Sequence, residues 1–207
     1  MENIGKIYYI NLDKRIDRKA EFLKEMETHI DPLDITNKVE RFPAVLNNDG
    51  LLGCTISHLE VVKKARESGH KYFIVFEDDF QFIVSKEEFH NTLTTFFEQV
   101  NNGLDFKVAM LAYNALTKEP YNDLLELSKN VQTASAYLVN SKYLDELINC
   151  WTEGTNLYKS TGHGWHYCND QYWKRIQNEK WYIFKTRLGS QRAGFSDCRN
   201  SFADYRI

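Results

Sequence analysis

Apolar residues fall in two rhythms along this chain, and the change between them marks the elements. Ile7-Tyr-Tyr-Ile10 is an unbroken apolar run at the centre of a strand predicted from Lys6 to Leu12. Ile16, Ala20, Leu23 and Glu27 then fall on successive turns of a helix. Glu40 to Val45 reads as a second short strand, closed by the polar turn Asn47–Gly50. A helix from about Cys54 to Ser68 follows, stopped by Gly69, with Leu59, Val62 and Ala65 as its apolar stripe. Tyr72 to Phe76 is apolar throughout, the mark of a strand buried on both faces. Ser85-Lys-Glu-Glu88 is a capping box opening a helix that turns Phe89, Leu93, Phe96, Phe97 and Val100 inward. Strands are predicted at Phe106–Ala112 and Val131–Val139, with Ser141 capping a helix that carries Leu144, Leu147, Ile148 and Trp151.

From Thr152 to Cys168 the rhythm is lost. Gly154, Gly162 and Gly164 alternate with His163, Trp165, His166 and Tyr167, which predicts a long functional loop. A helix starting at Asn169 or Asp170 and running through Ile176, then a last strand at Trp181–Phe184, precede a polar tail from Arg187 to Ile207. Strands alternating with helices predict one α/β domain over residues 1–207, with a mostly parallel central sheet flanked by helices.

Composition narrows the function classes. Hydrophobic residues at 43% and aromatics at 14% exclude disorder, and a net charge of -3 offers no basic footprint for nucleic acid. No apolar run approaches a membrane span, and Met1 is followed almost at once by a strand instead of a secretory leader. Cys54, Cys150, Cys168 and Cys198 are scattered without a C-x-x-C pair, so reduced thiols are expected and a structural zinc site is not. There is no P-loop, no G-x-G-x-x-G after the first strand and no G-x-S-x-G elbow.

The candidate chemistry sits at strand and helix ends. The core strand Tyr72–Phe76 delivers Glu77, Asp78 and Asp79 to one place, and ligands bind at strand ends in open α/β sheets. Such a cluster suits a divalent cation carrying a phosphate ester, the bland alternative being an acidic turn. Arg15 and Arg18 near the positive end of a helix form a phosphate-attracting turn, or else two solvated arginines. Ser57 and His58 are placed near the start of their helix, where a lone histidine is also an ordinary packing residue.

Tyr9-Ile-Asn-Leu-Asp-Lys-Arg-Ile-Asp-Arg18, Gly53-Cys-x-x-Ser-His58, Phe76-Glu-Asp-Asp79, Thr133-Ala-Ser-Ala-Tyr-Leu-Val-Asn140 and Ser196-Asp197 together resemble glycosyltransferase family 25, which includes lipopolysaccharide and procollagen galactosyltransferases. The resemblance implies a GT-A fold, with a nucleotide-binding half over about residues 1–112 and an acceptor-binding half over about 113–207. It further implies an inverting enzyme that takes galactose or glucose from a UDP-sugar to a glycan, lipopolysaccharide-like or protein acceptor. Its D-x-D motif would be Glu77-Asp78-Asp79, holding Mn²⁺ or Mg²⁺ through Glu77 and Asp79. Gln191, then His163 or Asp197, would add a ligand from beyond the last strand. Asn11 and Leu12 are expected against uracil and ribose, Arg15 or Arg18 against the diphosphate or base edge, and Ser57, His58 and Asp78 elsewhere on the nucleotide. The expected base is Asp170, whose plain alternative is a helix cap, with His163 and His166 as runners-up. Lacking a leader and an ER-retention tetrapeptide at Asp204–Ile207, the chain departs from the collagen enzymes, and a cytoplasmic enzyme of bacterial or viral kind is expected. Two rival readings remain: a GT-A domain that binds a nucleotide sugar or glycan without turnover, and a nucleotidyltransferase, which usually has a glycine-rich loop where this chain has Asn11-Leu-Asp-Lys.

Overall fold

A computed structural model describes residues 1–204. The tail positions Tyr205–Ile207, part of the tetrapeptide considered above, lie outside the described residues. The elements run β1 (Lys6–Asn11), α1 (Ile16–His29), α2 (Pro32–Lys38), β2 (Val39–Pro43), α3 (Gly50–Ser68), β3 (Tyr72–Glu77), β4 (Phe80–Phe82), α4 (Lys86–Asn101) and β5 (Val108–Ala115). Then come β6 (Glu119–Pro120), β7 (Leu125–Leu127), β8 (Val131–Asn140), α5 (Leu144–Thr161), the one-turn helices α6 (Gly164–Tyr167) and α7 (Asn169–Tyr172), β9 (Trp181–Phe184), β10 (Gly189–Gln191), β11 (Gly194–Ser196) and β12 (Ser201–Ala203).

Eight strands form the central sheet in the order β2-β1-β3-β8-β5-β9-β7-β6. The α/β architecture is as expected, and the sheet is mixed. β1 runs parallel to β2 and β3, and β5 parallel to β9, but β8 lies antiparallel between β3 and β5. The strand pleat divides the core. Ile7, Tyr9, Ile74 and Phe76 face one side with Phe22 and Met26 of α1 and Phe89 and Phe96 of α4. Tyr8, Ile10, Phe73 and Val75 face the other with Leu59 and Val62 of α3 and Trp151 of α5. β3 is therefore buried on both faces, and only its acidic end escapes the core. Among the described residues no helix is long and apolar enough to cross a membrane, and the four cysteines are free thiols.

Several predicted boundaries move, through capping, packing or strand pairing. α3 starts at Gly50, because Asp49 caps it by accepting from Leu52 N at 3.2 Å, so Ser57 and His58 lie two turns inside it. The predicted loop after Thr152 is mostly helix: α5 continues to Thr161 and stops where Gly162 takes a left-handed φ of 74°. Gly154 serves packing, since a Cβ there would meet the Tyr172 ring at 2.7 Å. Asn140, in place of Ser141, supplies the side-chain cap ahead of α5, accepting from Lys142 N at 3.1 Å. The polar tail is also structured, with β10 pairing antiparallel to β4 and β11 to β12.

Candidate active site

β1 and β3 end side by side, with Ile10 opposite Glu77 in register. Asn11 and Asp78 therefore emerge together, and Asn11 Nδ2 donates to Asp78 Oδ2 at 2.6 Å. Arg41 fixes the other edge of Asn11, donating to its Oδ1 and to its backbone oxygen at 2.9 Å each. Arg18, on the first turn of α1, reaches over the strand ends and donates Nη1 to Asp78 Oδ1 at 3.1 Å and Asp79 Oδ2 at 2.9 Å. Its Nη2 donates to the Phe195 carbonyl at 2.7 Å, tying the acids to the tail.

One guanidinium beside three acids leaves the group electron-rich. Burial, together with the neighbouring Glu77 and Asp78 charges, pushes the Asp79 carboxyl up to about 7. Asp78 is raised as well, chiefly by burial. Glu77 goes the other way: burial works to raise it, but the His58 hydrogen bond and charge outweigh that and hold it low. Asp79 Oδ1 is buried with no hydrogen-bond partner, an unusual state for a carboxylate oxygen.

Gln191 of β10 faces this cluster, with Nε2 3.1 Å from Asp79 Oδ2 and 3.5 Å from Glu77 Oε2. It presents its amide nitrogen to the acids, so in this arrangement it holds Asp79 as a donor. The segment is pinned by Arg192, whose backbone N donates to Asp79 O at 2.7 Å and whose guanidinium pairs with Glu21 and Glu25 at 2.8 and 3.1 Å.

A cavity of about 590 Å³ opens over these strand ends, within the range of small-molecule sites. It is lined by Leu12, Lys14, Arg18, Glu77, Asp78, Asp79, Asp170 and Gln191, with Thr133, Trp165 and Asp197 on further walls. Most of the expected residues thus converge. Ser57 and His58 are also on this lining although 0% exposed, and Asn11, 2% exposed, stands behind it. Ser57 Oγ donates to Gly53 O at 2.7 Å and accepts from Val45 N at 2.8 Å, clamping α3 to the segment after β2. His58 bridges Tyr137 Oη at 2.8 Å and Glu77 Oε1 at 2.9 Å. Arg15 is not on the cavity lining; it pairs with Asp17 at 2.8 Å and Asp197 at 2.6 Å. Asp197 also takes Lys14 at 2.7 Å, and although burial works to raise it, these cations keep it below the usual carboxylate range.

Asp170 is no helix cap. Cys168 holds the N-cap position of α7, and the Asp170 carboxylate turns to the sheet, where Oδ2 accepts from Thr133 N at 3.0 Å. Thr133 has a φ of 74°, a left-handed conformation rare for a β-branched residue. This strained backbone meets an acid at the cavity wall, the kind of place where functional sites store strain. Of the other candidates, His163 precedes α6 and His166 lies within it, their rings 6.2 Å apart. Lys14, Thr133 and Trp165 were not singled out from sequence. The φ of Thr133 has no sequence signal, whereas Trp165 is 64% exposed in the glycine-bearing stretch that had one.

Similar folds among solved structures include a glycosyltransferase involved in the glycosylation of the major capsid of PBCV-1, at 9% identity over 86% of this chain and 80% of that one, with a TM-score of 0.55. The glycosyltransferase GlyE of Streptococcus pneumoniae TIGR4 matches at 9% identity over 88% of this chain and 45% of that one, with a TM-score of 0.51. At this identity the likeness is one of fold, and the fold is the α/β, GT-A-like class of glycosyltransferases. Comparison with curated protein sequences finds no match. The sequence model of glycosyltransferase family 25, described as an LPS biosynthesis protein family, matches residues 4–159. The chain belongs to glycosyltransferase family 25, and its activity class is glycosyl transfer.

Proposed function

We propose that this chain is a divalent-cation-dependent, inverting glycosyltransferase that moves a hexose, galactose or glucose, from a UDP-sugar to a hydroxyl of a glycan, lipopolysaccharide-like or protein acceptor. The observation that carries this reading is the end of β3, where three acids cluster, Arg18 pairs with two of them and Asp79 keeps a buried, unpartnered oxygen. That donor set fits Mn²⁺ or Mg²⁺, which take carboxylate oxygens and share themselves with phosphates. Asp79 and Glu77 would hold the ion, and Gln191 would join them with its amide turned to present oxygen. Bound there, the ion supplies neutralisation of the charge that builds on the departing diphosphate.

The chain's own groups supply the rest. Leu12 lines the cavity beside the β1 end and is assigned to the base and ribose. Arg18 already spans the acids and the tail, which suits it to the diphosphate; Lys14 stands on the same lining. Asn11 orients Asp78, His58 orients Glu77, and Arg15 fixes the tail through Asp197. Asp170 is assigned as the base that takes the acceptor's hydroxyl proton. Its carboxylate is aimed by Thr133 N at Oδ2 and by the longer contacts of Cys168 Sγ and Gln171 Nε2 at Oδ1, 3.4 Å each, and Oδ2 keeps a lone pair for that proton.

The test needs no acceptor. UDP-, GDP- and CMP-sugars are screened for donor hydrolysis with Mn²⁺ and with EDTA. The expected result is UDP release from a UDP-hexose that stops in EDTA. Binding of the nucleotide sugar without turnover in any condition would replace this reading with a non-catalytic, sugar-nucleotide-binding one.

A further inference from the structure

Beside the acid cluster lies a second group of ligand atoms, which shares only Glu77 with the ion site proposed above. Cys54 and His58 are four residues apart on α3 and leave the same face of the helix. β3 brings Glu77 to that face, with Glu77 Oε1 2.9 Å from His58 Nε2 and 3.7 Å from Cys54 Sγ. Sulfur, nitrogen and oxygen all lie within 4.8 Å of one another. His58 is fully buried, and its other ring nitrogen meets Tyr137 Oη at 2.8 Å.

We propose that Cys54, His58 and Glu77 form a second cation site, one that takes Zn²⁺-class ions in preference to Mn²⁺ or Mg²⁺. The donor set makes the choice: thiolate and imidazole suit borderline-soft ions, whereas Mg²⁺ and Mn²⁺ favour oxygen. Thiolate and carboxylate together balance a dication, so the loaded site buries no net charge. Three protein ligands leave a fourth position open, and Cys54 and Glu77 on the cavity lining offer the way in. This differs from a closed structural zinc site, whose paired cysteines the chain lacks. Tyr137 completes the arrangement, because a proton on His58 Nδ1 donated to Oη leaves Nε2 free for the ion and fixes the ring. On loading, the Cys54 thiol proton and the His58 Nε2 proton leave to solvent, while Nδ1 keeps the proton it donates to Tyr137 Oη. Two protons are therefore released per ion. Glu77 uses Oε1 here, and its Oε2 faces Gln191 and the acid cluster.

Co²⁺ is the probe, titrated into protein stripped with EDTA. One equivalent is expected to produce a thiolate-to-cobalt charge-transfer band, displaced by Zn²⁺ and not by equal Mn²⁺. Cys54→Ser should lose the band, while Asp79→Asn and Cys198→Ser should keep it; Cys198 is the control because its thiol lies beside that of Cys54. Tyr137→Phe should keep the band and weaken Zn²⁺ by about 10-fold. A second readout covers the case in which Cys54→Ser does not fold: in the unmutated protein, Zn²⁺ but not Mn²⁺ should shield Cys54 from alkylation, read by peptide mass. No charge-transfer band, a band that survives Cys54→Ser or follows Cys198, or a Cys54 alkylated equally with and without Zn²⁺ would overturn the proposal. Mn²⁺-supported donor hydrolysis is scored separately, so either idea can fail alone.

Discussion

Replacing Asp79 by asparagine should make the metal-free protein more stable and the enzyme inactive. A carboxyl raised from the free value of 3.8 to about 7 is bound more tightly to its proton in the fold than in the unfolded chain. Its favourable contribution is complete below about pH 4 and is lost as the pH rises through about 7. At 1.36 kcal/mol per tenfold change in proton affinity, the ionised fold bears a penalty of about 4 kcal/mol. Asparagine never ionises and still offers Arg18 an oxygen to donate to. Readjustment of Glu77 and Arg18, which share the charge, is expected to leave a gain of about 2–4 kcal/mol at pH 8. Urea unfolding in EDTA between about pH 5 and pH 8 measures it. The two stability curves should diverge with rising pH, by roughly 2–3 kcal/mol across that range. Excess Mn²⁺ should then stabilise the parent protein, by about 2.7 kcal/mol at a hundredfold excess over Kd, and the variant little. Parallel pH curves, or a variant less stable than its parent at pH 8 without metal, would refute the reasoning.

Arg18→Ala removes the cation that Asp78 and Asp79 share and should weaken UDP binding at least tenfold, since a charge-assisted phosphate contact is worth about 1.5–3 kcal/mol; calorimetry showing equal affinity would make Arg18 a structural residue. Asp170→Asn keeps an oxygen for Thr133 N and should retain UDP-sugar affinity while losing most of kcat, and near-normal turnover in steady-state kinetics would remove Asp170 as the base. Gly50→Ala would drive a Cβ to 2.2 Å from the Asp197 carbonyl and 2.9 Å from Cys198 Cα, backbone atoms that cannot turn aside. The tail should lift from α3 at a cost of about 1–3 kcal/mol, seen as faster amide exchange over residues 194–203; unchanged exchange there would show that the helix start yields instead.

Local pattern alone determined a good part of this protein. The unbroken apolar run of Tyr72–Phe76, the acids that end it and the Ser85 capping box are short-range signals, and the fold keeps each where periodicity and capping put it. The family motifs were equally legible, because the residues that carry them are contiguous in sequence. Strand direction was not: apolar alternation is the same read either way, so the antiparallel insertion of β8 between β3 and β5 is decided by long-range pairing. Gly154 reads as a loop residue until Tyr172, eighteen positions on, packs against its bare Cα and keeps α5 intact. Asn11, Ser57 and His58 carry the right chemistry for a ligand, but only the fold shows them buried and hydrogen-bonded to Asp78, Gly53 and Glu77. Cys54 and His58 announce a shared helix face by their spacing, but only the β3 register sets Glu77 beside them. Gln191 closes on Asp79 across more than a hundred residues of chain. Contacts at that separation follow from which surfaces bury each other, and no local rhythm encodes them.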